Sequence, residues 1–332
     1  MKAAILTHYG LAEQLIIQHD FPVPLPAPNQ VQVKVMAASL NPLDYKIRNG
    51  ELRWIHPLKF PMVLGNDISG VVTAVGENVS QFKVGDEVFG MMDANVKPAC
   101  NGFARPGAYA EYAVTREDTL ALKPSGLTHP EAASLPLAAL TAWQALHPLL
   151  SAIHPTQRAP NVLINGGSGG VGSLAVQIAK ALGATVTATC SARNMTLVQS
   201  LGADHVIDYS TTPVTTVSGP FDLIYDVAAN LRYRDVESLL TSEGVLITNV
   251  ANIATMLAPL SGPIKKLFEK RKRYIHAWVR SSAHDLTQIS HLVSSGQLRP
   301  VLSQCFALDE VNEAYQWLTS GRSHGKGVLQ IA

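Results

Sequence analysis

Cysteine, charge and repetition are scarce in this chain, and each scarcity removes a class of protein. The 332 residues hold three cysteines, Cys100, Cys190 and Cys305, with no paired spacing. Such a count gives no disulfide framework and favours a reducing, cytoplasmic setting. Charged residues make up only 15%, and Lys and Arg exceed Asp and Glu by 26 to 25. No global field then draws nucleic acid or an anionic membrane surface. At 47% hydrophobic the chain is too apolar for a disordered protein. Its eleven histidines show no His-Glu-x-x-His spacing. One stretch without Asp, Glu, Lys or Arg, between Glu131 and Arg158, is long enough to cross a bilayer. Pro136, Gln144, His147, Pro148, His154 and Pro155 interrupt it, so it reads as a buried helix followed by a loop, and no membrane span is expected. The N-terminus turns polar at Thr7-His8, too early for a signal peptide.

What is present points to two domains, which the length also favours. To about residue 125 the sequence is β-rich. Gln32-Val33-Lys34-Val35 alternates polar and apolar, and Val71–Gly76, Val84–Gly90 and Gly107–Val114 follow as short strands between Gly-containing turns. A small, irregular barrel is expected there. From residue 126 the rhythm changes to strand and helix in alternation. Val162-Leu163-Ile164, Thr185–Thr189, His205–Tyr209, Phe221–Asp226, Gly244–Thr248 and Tyr274–Val279 read as strands. Helices are expected over Val171–Leu182 and Thr196–Leu201. That alternation predicts an α/β, doubly wound parallel sheet. Near residue 298 the chain returns to the first domain, which 299–332 completes through a strand at Gly327–Ile331.

Between the first of these strands and its helix lies Gly167-Ser168-Gly169-Gly170-Val171-Gly172, a Gly-x-Gly-x-x-Gly pattern. The first glycine permits a tight turn and the second a close approach of backbone to a pyrophosphate. The third lets helix pack on strand. The helix start then offers N–H groups and partial positive charge to the diphosphate. At the end of the next strand an NAD site usually carries an acid for the ribose 2′-hydroxyl. Here the chain reads Thr189-Cys190-Ser191-Ala192-Arg193-Asn194. A hydroxyl at Ser191 and a guanidinium at Arg193 suit a 2′-phosphate, and therefore NADPH; a solvated helix start is the plainer alternative for Arg193.

Taken in order, these segments and several others resemble the zinc-free quinone oxidoreductase branch of the medium-chain dehydrogenase/reductase superfamily. The resemblance rests on Asn41–Gly50, Leu64–Val72, Gly107–Tyr112, Ala138–Trp143, Leu201–Tyr209 and Gly325–Leu329, and runs nearly end to end. It implies a GroES-like barrel and a Rossmann domain flanking a cofactor cleft, often in a homodimer. By position, Gly169, Gly170 and Val171 look like the pyrophosphate loop, and Ser191, Arg193 and Tyr209 like the 2′-phosphate and adenosine site. Thr141 and Asn41 look like neighbours of the nicotinamide. Lys326 resembles a residue near the cofactor phosphates. Val227 and Ala228, then Asn249 and Val250, follow strand ends where backbone contacts to the cofactor are expected.

Zinc-dependent members of that superfamily place a cysteine where this chain has Asn41 and a histidine where it has Asn66. Catalytic zinc takes about three protein ligands and structural zinc about four. Amides serve poorly, the segment 91–106 offers Cys100 alone, and no metal is expected. Without a Lewis acid, alcohol oxidation loses its main driving group, whereas hydride transfer to a quinone or conjugated enone needs less help. Asn41, Tyr45 or Lys46 could hydrogen-bond the acceptor carbonyl, while Asp44 could hold the segment through backbone bonds. Trp54 and Phe60 could line a pocket or belong to the core. The basic run Lys265–Arg273 reads as a solvated helix face, with attraction of a phosphorylated substrate such as a coenzyme A thioester as another option. Three functions stay open: a quinone or enone reductase, an enoyl-thioester reductase, and a catalytically idle NADPH-binding protein.

Overall fold

Half-buried alternation and continuous apolar runs produce two kinds of sheet in the computed structural model, which describes residues 1–10, 15–54, 57, 59–92, 107–153, 158–249, 273–321 and 323–332. The basic run (all but Arg273), Cys100 and Val250 lie outside the described residues. In chain order the first unit contains β1 (Ala3–Leu6), β2 (Leu15–Gln18), β3 (Gln30–Ser39), α1 (Pro42–Arg48), β4 (Met62–Val63), β5 (Asp67–Val75), β6 (Glu87–Met91), β7 (Tyr112–Arg116), β8 (Leu120–Leu122) and α2 (His129–Ala133). β1 pairs antiparallel with β2 and β4. The spine is β3, which pairs antiparallel with both β5 and β7. Its register shifts at Gln32/Val33 and Val35/Ala37 against β5, and such irregularities bend a sheet toward closure. Val31, Val33, Val35, Ile68, Val72 and Val88 fill the interior, each buried side chain contributing roughly 1.5–3 kcal/mol. β6 begins at Glu87 rather than Val84, because Lys83–Asp86 closes a turn, Asp86 N–H donating to Lys83 O.

The chain leaves this unit within α3 (Pro136–Ile153), a helix that runs through Pro148 instead of stopping there. Proline removes its amide donor and crowds the carbonyl four residues earlier, a local cost that the helix bears at the exposed Pro148. The second unit contains β9 (Asn161–Asn165), α4 (Gly170–Ala181), β10 (Thr185–Cys190), α5 (Met195–Ser200), β11 (His205–Asp208), β12 (Phe221–Asp226), α6 (Tyr233–Val236), β13 (Leu240–Thr248) and β14 (Arg273–His276). Its six strands lie in the order β11-β10-β9-β12-β13-β14, every pair parallel. This is the expected doubly wound sheet, reversing direction between β9 and β12.

The chain then returns with α7 (Ala283–Ser294), β15 (Leu302–Ala307), α8 (Val311–Thr319) and β16 (Lys326–Gln330). β16 lies between β15, which it meets in parallel, and β3, which it meets antiparallel. The units divide as Met1–Leu140 with Arg280–Ala332, and Thr141–Val279. The sequence placed these boundaries near 125 and 298. The difference has a packing cause: α2 sits on β3 and β5, and α7 sits on β8, so both helices belong to the first unit.

Candidate functional site

In the second unit β9 ends at Asn165, and the chain turns sharply at Gly166, whose φ of +92° disfavours any side chain. Gly166 N–H donates to Thr189 Oγ1 at 3.0 Å, and Gly167 N–H to Thr189 O at 2.8 Å. A Cβ on Gly167 would lie 2.9 Å from Ala188 Cβ, and one on Gly172 would lie 2.0 Å from Gly166 O. At Gly169 the only neighbour is Gly166 O at 3.7 Å. Two glycines therefore serve packing and the third leaves open space. Helix α4 starts immediately after, with Gly169 as its cap and no side-chain oxygen bonded to its first amides. The open glycine and these helix-start amides fit a diphosphate.

A buried polar ladder underlies the loop. Thr189 Oγ1 donates to Asn165 Oδ1 at 2.7 Å, and Asn165 Nδ2 donates to Asp226 Oδ1 at 2.8 Å and to Asn230 Oδ1 at 2.7 Å. Asp226 Oδ2 accepts the Leu231 N–H. The carboxyl ends of β10, β9 and β12 are thus cross-linked. The sequence reading missed these residues; Asn165, a polar residue ending an apolar strand directly before the glycines, was the available signal. Val227 and Ala228 follow the end of β12, both N–H groups donating to Asn165 O at 3.1 Å.

Ser191 caps the turn after β10, and Arg193 and Tyr209 are exposed beside the carboxyl ends of β10 and β11. Asn194, also unforeseen, donates from Nδ2 to Ser168 Oγ at 3.1 Å and to Ser191 Oγ at 3.2 Å, tying the glycine loop to this strand end. Asp208, at the end of β11, accepts the Ser210 hydroxyl and N–H, which hold it below the usual range. Deeper in the unit, Tyr225 OH reaches Thr141 O at 3.4 Å and pairs with the Asn249 amide at 3.0 Å or closer. Burial holds that phenol protonated.

The first unit holds a second cluster, almost entirely closed to water. Pro42 at the first helical position starts α1, and Asp44 Oδ2 accepts the Asn41 N–H at 3.0 Å. Asp44 also accepts from Asn66 Nδ2 and from Tyr109 OH at 3.1 Å. Asp67 accepts from Ser39 Oγ at 2.6 Å, Asn41 Nδ2 at 2.9 Å and Leu137 N–H at 2.8 Å. Into this group comes Lys326 from β16. Its ammonium donates to Asn41 Oδ1 and to Leu40 O at 3.0 Å, and lies 3.7 Å from Asp67. Burial pushes Asp67 up and Lys326 down, each opposed by the other's charge. Both carboxylates collect enough donors to stand in the interior.

Asn41 is therefore fixed: its oxygen faces an ammonium, and its amide hydrogens point to Asp67 and Ser39. Tyr45, on α1, is half-buried, its phenol pushed up by burial and by Glu51. Trp54 is 85% exposed and stacked by Arg53, whereas Phe60 packs edge-on against Tyr9. Zinc does not fit the cluster, since Asn41 and Asn66 already spend their amides on Lys326, Asp67 and Asp44, and a lysine ammonium stands among them. Among the described residues no three His, Cys, Asp or Glu side chains gather as a metal site. Among them, too, no helix is long and apolar enough to cross a membrane.

The chain joins a unit built on mixed sheets to a doubly wound parallel sheet, the fold of the solved alcohol dehydrogenases and quinone oxidoreductases it resembles. Residues 27–125 match the alcohol dehydrogenase GroES-like domain model, and residues 201–329 match a zinc-binding dehydrogenase model. The chloroplast envelope quinone oxidoreductase homolog of Arabidopsis thaliana is 34% identical, over 99% of this chain and 98% of its own length. The 2-methylene-furan-3-one reductase of Solanum lycopersicum is 35% identical over 99% of this chain and 79% of its own. The solved quinone oxidoreductase of Coxiella burnetii superposes with a TM-score of 0.83 at 32% identity, covering 100% of this chain and 99% of that one. The chain belongs to the quinone oxidoreductase family of the medium-chain dehydrogenase/reductase superfamily. It is an oxidoreductase of a nicotinamide-nucleotide-binding family.

Proposed function

We propose that the chain is a zinc-independent, NADPH-dependent oxidoreductase that transfers hydride to a quinone or an α,β-unsaturated carbonyl. The observation that carries this reading is the buried Asn41–Asp44–Asn66–Asp67–Lys326 network, which spends on internal hydrogen bonds the positions that would hold a Lewis acid. An acceptor already electrophilic is the substrate class such a site can serve. Ser191 and Arg193 at the end of β10, where the chain has no acid, support NADPH over NADH.

When bound, the nicotinamide supplies the hydride. The chain's part is to hold and orient. The open glycine loop and the start of α4 receive the diphosphate, and the Thr189–Asn165–Asp226 ladder keeps that loop in place. Asn41 has its amide engaged, so its role is to position α1. Tyr45, half-buried on α1 and protonated at neutral pH, can donate a hydrogen bond to an acceptor carbonyl, as can Lys46 beside it.

NADPH absorbance followed with a quinone, a short enone and a crotonyl thioester tests the reading against the thioester-reductase and idle-binder alternatives. Oxidation with the first two, unchanged after treatment with a chelator, is the expected result. Loss of activity to the chelator refutes zinc independence, and NADPH that binds without being oxidised by any acceptor refutes the reaction. For the cofactor, NADPH is expected to protect against heat at lower concentration than NADH, and Arg193→Ala to abolish that preference. Equal protection of the unaltered protein by both refutes the 2′-phosphate assignment.

A further inference from the structure

Beside the glycine loop, across the reversal of strand order, the chain leaves β12 through a turn, residues 227–231. Ala229 in this turn has a φ of +55°, the only positive value outside glycine among the described residues. That region crowds a Cβ against the backbone and is natural for glycine. Ala229 is exposed, so packing of its methyl does not account for the strain. A strained residue persists where its surroundings over-determine it. Here the surroundings are two residues. Val227 and Ala228 N–H groups both donate to Asn165 O, Asn230 Oδ1 accepts from Asn165 Nδ2 at 2.7 Å, and Leu231 N–H donates to Asp226 Oδ2 at 2.8 Å. Asn165, 5% exposed, is the last residue of β9 and directly precedes Gly166. The turn also meets the loop itself, since a Cβ on Gly166 would lie 3.3 Å from Ala228 Cβ.

We propose that residues 227–231 are a sprung clamp on the dinucleotide loop. Asn230 is a positioning residue that holds the turn closed against the strain at Ala229, and so presets Asn165 and the glycines after it for the diphosphate. The inference rests on the reading of that loop as the diphosphate seat, and adds what keeps the seat formed before a cofactor arrives. The Asn165 amide spends one hydrogen on Asp226 Oδ1 and the other on Asn230 Oδ1, while its oxygen takes the Thr189 hydroxyl. Its orientation is therefore fixed while all three partners stay in place. Released from Asn230, the turn can relax Ala229 to a negative φ and draw the Ala228 amide away from Asn165 O. A seat that must be ordered again on binding loses affinity to that ordering. With glycine at 229 there is no strain to release, and the same loss at Asn230 matters less.

The test is a double-mutant cycle on Asn230→Ala and Ala229→Gly, read by the fluorescence of bound NADPH and by turnover with a quinone. Asn230→Ala should weaken NADPH binding about fivefold, the worth of one hydrogen bond, and raise the KM for NADPH to match. The KM for the quinone, and kcat at saturating NADPH, should stay within about twofold. Without cofactor the melting temperature should stay within about 2 °C, because Asn230 lies at an exposed position. Ala229→Gly alone should bind NADPH as the parent does, and added to Asn230→Ala it should return most of the lost affinity. Glycine ordinarily loosens a chain, so a restoring glycine is not what a merely structural contact would give. Parent-like NADPH binding by Asn230→Ala overturns the clamp. So does a double variant no better than Asn230→Ala, or a quinone KM that rises with the KM for NADPH. Gly169→Ala separates the two claims. If it leaves NADPH binding whole, the loop is not the diphosphate seat and the clamp falls with it. If it weakens binding while Asn230→Ala does not, the seat stands and the clamp alone is overturned.

Discussion

At the scale of single residues, two buried titratable groups carry the sharpest expectations. Lys326 is 6% exposed and Asp67 not at all, so each depends on the other and on the amides around them. Replacing an ammonium in such a pair strands its carboxylate, and Lys326→Met should cost about 3–5 kcal/mol. Adding Asp67→Asn should return part of that loss. Urea midpoints of the two single variants and the double variant measure the coupling; additive losses would show that the pair is not a unit. His129, first residue of α2, places Nδ1 2.9 Å from Ser69 Oγ and Nε2 3.1 Å from Glu87. Burial pushes its pKa down, helped by Lys123 and opposed by Glu87. The unfolded imidazole takes a proton near pH 6.5 and the folded one only below that. Stability should therefore fall as pH drops from about 6.5 toward the folded value. Unfolding midpoints at pH 7.5 and about 5.5 should drop more in the parent than in His129→Gln; equal drops would assign the acid sensitivity elsewhere.

At the scale of elements, the glycine loop separates packing from binding. Gly172→Ala puts a methyl 2.0 Å from Gly166 O and should lower the melting temperature whether or not a dinucleotide is present. Gly169→Ala meets only open space, at a φ of −76° that alanine adopts freely. It should melt like the parent but lose most of the upward shift NADPH confers, because the methyl occupies the cradle. A Gly169→Ala protein that still shows the full shift would remove the loop from the diphosphate site.

The same scale shows what the sequence made readable. The parallel strands β9 and β12 and the second half of β13 are buried on both faces, so Val162–Ile164, Leu223–Tyr225 and Val245–Ile247 appear as short apolar runs, whereas β10, also buried, alternates threonine with apolar residues. β15 eluded that reading because Leu302–Ala307 is an edge strand, largely exposed and without a clean alternation. α7 carries a legible start signal, the Ser282 side chain accepting from Asp285 N–H. In the site, the glycines, Ser191 and Asn41 could be found by motif and resemblance, because each carries a local requirement. The ladder Thr189–Asn165–Asp226 and the contact of Lys326 with Asn41, 285 positions apart, could not, since only the folded sheets bring those side chains together.

At the scale of the whole molecule, the first unit is built from both ends of the chain and the second from one continuous segment, Thr141–Val279. Removing residues 326–332 takes out β16, the strand between β15 and β3, together with the Lys326 ammonium. Such a protein should lose cooperative unfolding of the first unit while keeping far-ultraviolet signal from the parallel sheet; retention of a single full transition would show that the sheet closes without β16.

The place of β16 also sets an order in time. A ribosome delivers all of the uninterrupted segment before β16, and domains generally fold as units while synthesis proceeds. β3, made among the first forty residues, gains β16 as its neighbour only when the last strand emerges. The sheet of the second unit can thus be complete while the Asn41 cluster still waits for its lysine.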